Sequence, residues 1–262
     1  MIKFNFKKIL FIITLILAST AKLFSAGGEA EPIKVDWSFK GITGKFDRAS
    51  LQRGFQVYKE VCSSCHSMQY LSYRNLGEPG GPEFSEQEVK AIAASVEITD
   101  GPDEQGEMFI RPGRPADKFK NPYPNVKASI AANGGAYPPD MSVLVKARPG
   151  GSNYIYSVLV GYEDPPSGVT LDDGVYYNKY MIGNKIKMSS PLSDDIVEYS
   201  DGTQATVDQM AKDVTTFLSW AAEPELEERH RTGVKVIIYL ILLTTLVYLS
   251  MKKIWSRIDT EV

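Results

Sequence analysis

Cys62-Ser63-Ser64-Cys65-His66 constrains this 262-residue chain more than any other stretch. The run reads C-x-x-C-H, the spacing by which a polypeptide fastens haem to itself. Two thiols three positions apart on one helical turn can each add to a haem vinyl group. The histidine one step further then lies under the iron as its proximal ligand. Other uses of such cysteines fit less well. A structural zinc site takes about four Cys or His ligands, and outside the motif the chain has no cysteine and one histidine, His230. A thioredoxin-type pair needs no following histidine and sits in a βαβ context that this sequence lacks. With both cysteines given to haem no disulfide is left, so cofactor burial and side-chain packing must hold the fold.

A covalent haem belongs on the outer side of a membrane, and both ends of the chain agree. Lys3, Lys7 and Lys8 precede an apolar run from Ile9 to Ala18 and small residues from Ala26 to Ala30. This is the three-part layout of a secretory signal, so residues 1–28 are expected to be removed. Near the other end, Gly233 to Met251 contains 16 consecutive uncharged residues from Val236. At about 1.5 Å per residue the stretch reaches roughly 28 Å, enough for a bilayer core with Lys235 snorkelling. Lys252, Lys253 and Arg257 follow it and would stay cytoplasmic. The expected organisation is a signal at 1–28, a periplasmic haem domain at 29–232, a transmembrane helix at 233–251 and a cytoplasmic tail at 252–262. Formal net charge is −3, and without the four lysines of residues 1–26 the remainder holds 25 basic against 32 acidic residues. Such an acidic field repels nucleic acid, and composition leaves two readings of it: attraction of a basic protein partner, or surface acids that merely keep the domain soluble.

Between the ends the pattern is mainly helical. Asp47 is placed to cap a helix from Arg48. Leu51, Phe55, Tyr58, Cys62 and Cys65 recur at spacings of four, three, four and three, which predicts one helix with both cysteines on its apolar stripe. A Pro/Gly cluster from Gly77 to Gly81 precedes a second helix, Phe84 to Val96, beginning at Ser85. Thr99 to Gly168 is rich in Pro, Gly, Asn and Asp. Its most biased stretches are Gly106 to Gly113, Asn133 to Asp140 and Ala147 to Gly151, with short helices expected near Asn125–Asn133 and Ser152–Val160. A structureless loop of that length is uncommon in a compact domain, so it is expected to wrap the haem. Thr206 to Ala222 has the clearest amphipathic pattern, with Thr206 and Gln209 read as a capping box and Glu223 to Arg231 as a charged connector. The fold class is mainly α: a haem domain with long Pro/Gly-rich insertions and one C-terminal transmembrane helix.

The iron of an electron carrier usually has a second axial ligand, commonly His or Met. His230, between two arginines at a membrane edge, is a poor candidate. Met1 goes with the signal, Met68 is too near His66, Met210 lies in a helical core stripe and Met251 ends the span. Met108, Met141, Met181 and Met188 remain. A thioether holds reduced iron well, so the expected haem is low-spin, six-coordinate and fairly oxidising.

Three sets of residues together resemble the cytochrome c1 family over essentially the whole mature length. They are Arg53-Gly54-Phe55-Gln56-Val57-Tyr58 running into Val61 to Met68, the three Pro/Gly-rich stretches, and Ala211-Lys212-Asp213-Val214 through Trp220 to Glu225. The resemblance implies a cytochrome c-like domain and one haem c, covalent through Cys62 and Cys65 and ligated by His66 and Met188. It further implies haem contacts from Asn133, Pro138, Pro139, Arg148 and Tyr154. The implied role is to accept an electron from a Rieske iron-sulfur protein and pass it to a soluble or anchored c-type cytochrome, while quinol is oxidised in a cytochrome b subunit. The chain would make and break no substrate bonds itself. The implied location is the bacterial inner membrane, single-pass with the haem domain in the periplasm, or the equivalent face of the mitochondrial inner membrane. Around the ligand methionine the family usually has small residues and a Pro-Pro pair; here Lys187 precedes Met188, and Ser189-Ser190 follow it. An anchored oxidase subunit or a haem peroxidase would share the C-x-x-C-H, although a peroxidase commonly has a second copy, which is absent.

Overall fold

A computed structural model describes residues 30–258, with side chains to residue 256. The expected signal at 1–28 and the last tail residues lie outside the described residues. The fold is mainly helical, as the sequence predicts. In chain order the helices are α1 (Arg48–Glu60), α2 (Glu86–Ala94), α3 (Val126–Ala132), α4 (Ser152–Val160), α5 (Val207–Ala222) and α6 (Leu226–Ile258). Two short antiparallel hairpins accompany them among the described residues. One joins β1 (Glu97–Asp100) to β2 (Phe109–Pro112), with Glu97 opposite Pro112; the other joins β3 (Tyr176–Tyr177) to β4 (Lys185–Ile186). The first hairpin takes in much of the Gly106–Gly113 stretch. Its alternation is too short, and its residues too exposed, to have left a strand signal in the sequence.

Helix starts follow the capping residues. Asp47 accepts from the Ser50 amide at 2.7 Å to open α1. Ser85 and Glu88 form a reciprocal box at α2, and the Asn125 side chain accepts from the Ala128 amide at α3. Such caps satisfy amides that have no partner inside the helix. At α5, Thr206 accepts from the Gln209 amide at 3.2 Å, but the Gln209 side chain donates instead to Asp213 at 3.0 Å. The predicted box is therefore a simple cap, because a buried carboxylate one turn on is the stronger acceptor for an amide.

The core forms where α1 lies against α5. Leu51, Phe55, Val57 and Tyr58 of α1 meet Met210, Val214, Phe217 and Leu218 of α5, and all are buried. The Phe217 ring lies 5.7 Å from Phe55 and 5.8 Å from Tyr58. Burying each such side chain stabilises the fold by about 1.5–3 kcal/mol. The helices touch at Gly54, where an added Cβ would sit 2.1 Å from the Asp213 carbonyl oxygen. Beside it Arg53 donates through Nε and Nη2 to the fully buried Asp213 carboxylate, at 2.8 and 3.1 Å, and through Nη1 to Asp201 at 2.7 Å. Phe119 extends the aromatic layer to Tyr73, 4.8 Å away.

α6 begins at Leu226, so most of the expected connector is already helical and runs without a break into the apolar stretch. Its 33 residues span about 50 Å. The most apolar 18-residue window has a mean hydropathy of 2.1 and none of it is buried, which makes α6 long and apolar enough to cross a membrane. Among the described residues its first turns meet the rest of the fold: Glu227 pairs with Arg48 at 2.7 Å and accepts from the Phe46 amide at 2.9 Å.

Candidate functional site

The C-x-x-C-H run lies just past the end of α1, not on its stripe. The helix stops at Glu60, and Cys62–Ser64 form a tight 3-10 turn. The cause is local. Ser63 donates to the Lys59 carbonyl at 2.7 Å and Ser64 to the Val61 carbonyl at 2.9 Å, offering those acceptors an alternative to the helical ladder. The Cys65 and His66 amides both then converge on the Cys62 carbonyl, at 3.2 and 2.9 Å. Both thiols are unpaired; Cys62 is buried and Cys65 half-buried. Burial, with the neighbouring Cys65, pushes the Cys62 thiol up to about 12.

His66 is 8% exposed, and its Nδ1 lies 2.8 Å from the carbonyl oxygen of Pro139. A carbonyl can only accept, so Nδ1 carries the proton and Nε2 keeps a bare lone pair, the state of a metal-ligating imidazole. Burial lowers the pKa of His66, against the opposing pull of the Pro139 carbonyl and Asp140, and so favours the neutral ring.

The 138–142 segment is fixed around this contact. Asp140 accepts from the Ser67 hydroxyl at 2.7 Å, the Gln69 amide at 3.0 Å and the Ser142 amide at 2.9 Å. Burial opposes its ionisation, but hydrogen bonds from Ser142 and Ser67 outweigh that and hold it below the ordinary carboxylate value. The Met141 amide reaches the Ser67 carbonyl at 2.8 Å, and Tyr58 donates to the His66 carbonyl at 3.3 Å. The turn and this segment are thus locked together from both sides.

Cys65, Tyr123, Asn125, Ser129, Tyr137 and Pro138 line an open cleft of about 430 Å³ beside the turn. A second, of about 640 Å³, shares Asn121 and Pro122 with it and is lined by Phe55, Tyr58, Ser63 and Phe119. A free thiol at the cleft, Cys65, a second buried three positions before it, Cys62, and an imidazole with its Nδ1 already committed are what a haem of the c type requires, so the residues present fit that group. Among the described residues no cluster of three or more His, Cys, Asp or Glu is arranged to hold a bare metal ion.

The other predicted contacts divide. Pro138 lines the cleft and Pro139 supplies the carbonyl on His66. Asn133 closes α3, its side-chain amide on the carbonyl of the cleft residue Ser129 at 2.7 Å. Arg148 is exposed and donates to the Ala147 carbonyl, while the Tyr154 hydroxyl points at the Met181 sulfur, 3.3 Å away; neither lines the two clefts. Of the four methionines, Met108 is 60% exposed next to β2 and Met141 is buried in the core. Met188 is half-buried just after β4, its carbonyl accepting from Tyr162 at 3.1 Å. The adjacent Lys187 ammonium donates to the Gly134 carbonyl at 2.9 Å, tying the Met188 segment to the loop that ends on His66. Tyr58, Ser67, Asp140 and Tyr162 were read in the sequence only as members of a stripe, a motif flank or a loop, and not as parts of the site. Ser67 directly follows the motif and Asp140 directly follows Pro139, yet nothing in one sequence pairs residues 73 positions apart.

A C-x-x-C-H turn with a pre-oriented histidine, on a mainly helical domain that ends in a long exposed apolar helix, defines a class: tail-bearing cytochromes of the c type. The Cytochrome C1 family model matches residues 37–258, and the chain belongs to that family. It is 48% identical over 241 residues to cytochrome c1 of Rhodospirillum rubrum, covering 86% of this chain and 88% of that protein. It is 50% identical over 227 residues to the mitochondrial cytochrome b-c1 complex catalytic subunit of Candida albicans, covering 86% and 76%. With the cytochrome b/c1 of Bradyrhizobium diazoefficiens it shares 50% identity over 248 residues, 87% of this chain but 36% of that protein, so it spans about a third of that relative. Membership of the family implies haem c and a place in respiratory electron transport.

Proposed function

We propose that the chain carries one haem c, covalent through Cys62 and Cys65, and serves as an electron-transfer subunit between a Rieske iron-sulfur protein and a c-type cytochrome while quinol is oxidised elsewhere in the complex. The observation that carries this reading is the His66 Nδ1 bond to Pro139, which leaves Nε2 as the one ring nitrogen able to ligate. When bound, the haem supplies a one-electron iron couple. The chain's own residues set the terms of that couple. His66 is held in one tautomer and one orientation, which strengthens it as a ligand. Met188 would hold the iron together with His66 in this reading, supported by its half-buried place on a segment strapped to the 133–140 loop. Thioether ligation raises the potential and suits a carrier late in a chain. Asn133, Pro138, Pro139, Arg148 and Tyr154 surround the haem, Arg148 with a planar fork that matches a propionate. Arg148 and Tyr154 would turn toward it from their present partners.

Partners follow from the family and from relatives' names. One relative is named for a cytochrome b-c1 complex and a longer one for cytochromes b and c1 together, which supports a cytochrome b neighbour. The chain makes and breaks no substrate bond. Residues 1–28 direct export and are removed, 29–232 stand in the periplasm or its mitochondrial equivalent, 233–251 span the membrane and 252–262 stay inside; both flanks of the span are basic, so the export signal sets that orientation. Haem should stay with the polypeptide through acid-acetone extraction and give a c-type pyridine haemochrome spectrum, and Cys62→Ala with Cys65→Ala should release it. Met188→Ala should abolish the low-spin spectrum and lower the potential; an unchanged spectrum and potential would sink the axial assignment. Detergent extracts should yield the chain with cytochrome b and Rieske subunits.

A further inference from the structure

We propose that the turn Lys40-Gly41-Ile42-Thr43-Gly44-Lys45 is a membrane-surface contact, with Ile42 entering the headgroup layer and Lys40 and Lys45 meeting anionic lipid. The inference rests on α6 being the membrane anchor and goes beyond it to a second point of attachment.

The turn is built to present its tip. The Gly44 amide bonds the Gly41 carbonyl at 3.3 Å and the Lys45 amide bonds the Ser38 carbonyl at 3.0 Å. Gly41 has φ +85°, and an added Cβ at Gly44 would lie 2.3 Å from the Lys40 carbonyl oxygen, so the loop closes this tightly only with glycine at both places. Phe39 and Phe46 on either side are buried, with rings 4.9 Å apart, and pin the base. Ile42 is 76% exposed above that base, the most exposed large apolar side chain among the described residues. Residues 37–46 include Lys40 and Lys45, both exposed, and no acid, while the exposed Asp36 and Asp47 flank the base on either side.

One exposed isoleucine is ordinary on a soluble surface. Its height above the bilayer makes this one different. Arg48 and Phe46 contact Glu227, and Gly44 contacts His230, whose Nδ1 lies 3.1 Å from the Gly44 carbonyl oxygen. As α6 runs toward its apolar stretch, its partners on the domain thus step from residue 48 to residue 44. The turn is the next part of the chain in that direction. His230 is six residues ahead of Val236, about 9 Å along the axis, and three ahead of Gly233, about 4.5 Å. The polar layer on each side of a hydrocarbon core is about 5–7 Å deep. Gly44 therefore stands at the outer edge of the headgroups, with Ile42 beyond it. On α6, Arg229 and Arg231 are paired with Glu223 and Glu228, and Lys45 stands in the field of Glu227, so Lys40 and Lys235 supply the remaining positive charge at this level. A small apolar tip between two lysines suits a surface of anionic headgroups.

The test uses the full-length haem-loaded chain, in which Cys62 and Cys65 are blocked by haem, in phosphatidylcholine vesicles with or without phosphatidylglycerol. A nitroxide is placed by Ile42→Cys, or by Ile196→Cys as a control at an exposed site in the loop before α5. Haem absorbance and flotation with the vesicles establish folding and anchoring. With phosphatidylglycerol, the label at 42 should lose contact with a water-soluble nickel chelate, keep contact with oxygen and read a depth of about 5 Å inside the headgroups. The label at 196 should stay open to the chelate. Lys40→Glu with Lys45→Glu should return position 42 to the chelate. Position 42 as open as 196 in a floating chain would overturn the inference and leave the anchor intact. Shielding of position 42 from oxygen as well as chelate would mean that protein covers the turn, and would overturn it equally. A chain that fails to float would take down the anchor and the turn together.

Discussion

Two arginines each hold two aspartates, and they sit in contrasting parts of the molecule. Arg53 joins Asp213, fully buried in the seam between α1 and α5, and at the rim of that seam Asp201, which is 41% exposed. Arg111 joins Asp100 at 2.5 Å and Asp117 at 2.7 Å, tying the β1–β2 hairpin to the loop that follows, with Asp100 41% exposed. The chemistry is the same and the surroundings differ. In the seam, burial makes each partner indispensable to the other. On the hairpin, water and salt can replace either one. The seam thus acts as a rigid floor for the C-x-x-C-H turn, while the Pro/Gly-rich half is held by separate polar latches, Asp140 on the turn and Lys187 on the Met188 segment. A c-type site built this way has one over-determined side and one adjustable side.

This contrast can be broken from either end. The largest effect should come from Asp213→Ala, which strands the Arg53 guanidinium in the seam; urea unfolding should show a loss of about 3–5 kcal/mol. A double-mutant cycle with Arg53→Ala should give strong coupling, and additive effects would contradict the picture of one buried unit. Gly54→Ala comes next, at about 1–3 kcal/mol, because its Cβ would collide with the Asp213 carbonyl and the helices would have to separate.

On the loop side, Asp140→Asn should cost about 1.5–3 kcal/mol through weakened bonds from Ser67 and the Gln69 and Ser142 amides. It should also shift the haem reduction potential, since the same segment carries the Pro139 carbonyl that orients His66. A stability loss with an unmoved potential would reduce Asp140 to a structural role. The smallest effect should be Arg111→Ala, a slight and salt-dependent drop in thermal midpoint.

Acid should probe both clamps. Asp117, held down by Arg111, and Asp201, held down by the Thr203 amide and Arg53, both fall to about 2 from an ordinary 3.8. Each group's contribution is fully present above pH 3.8 and is lost as pH falls toward 2, because the unfolded chain takes up the proton first. Acid titration of Asp117→Asn should show that part of the dependence removed.

What the sequence carried was local chemistry. Caps at Asp47 and Thr206, the helix start at Ser85 and the amphipathic period of α5 were readable because they depend on neighbours within four residues. The haem motif and the apolar run from Val236 were readable for the same reason. The end of α1 was misjudged because periodicity continues through Cys62 and Cys65 while two serine hydroxyls divert the backbone. The box at Gln209 failed because its real partner, Asp213, is buried by another helix.

Tertiary structure alone decided which carbonyl meets His66, which carboxylate gathers Ser67 and Gln69, and how the Gly41–Gly44 turn stands against α6. Those contacts join residues separated by 73 positions at His66 and Pro139 and by 186 at Gly44 and His230. A single sequence encodes such pairings only through the packing of everything between them, so composition, period and spacing leave no local trace of them.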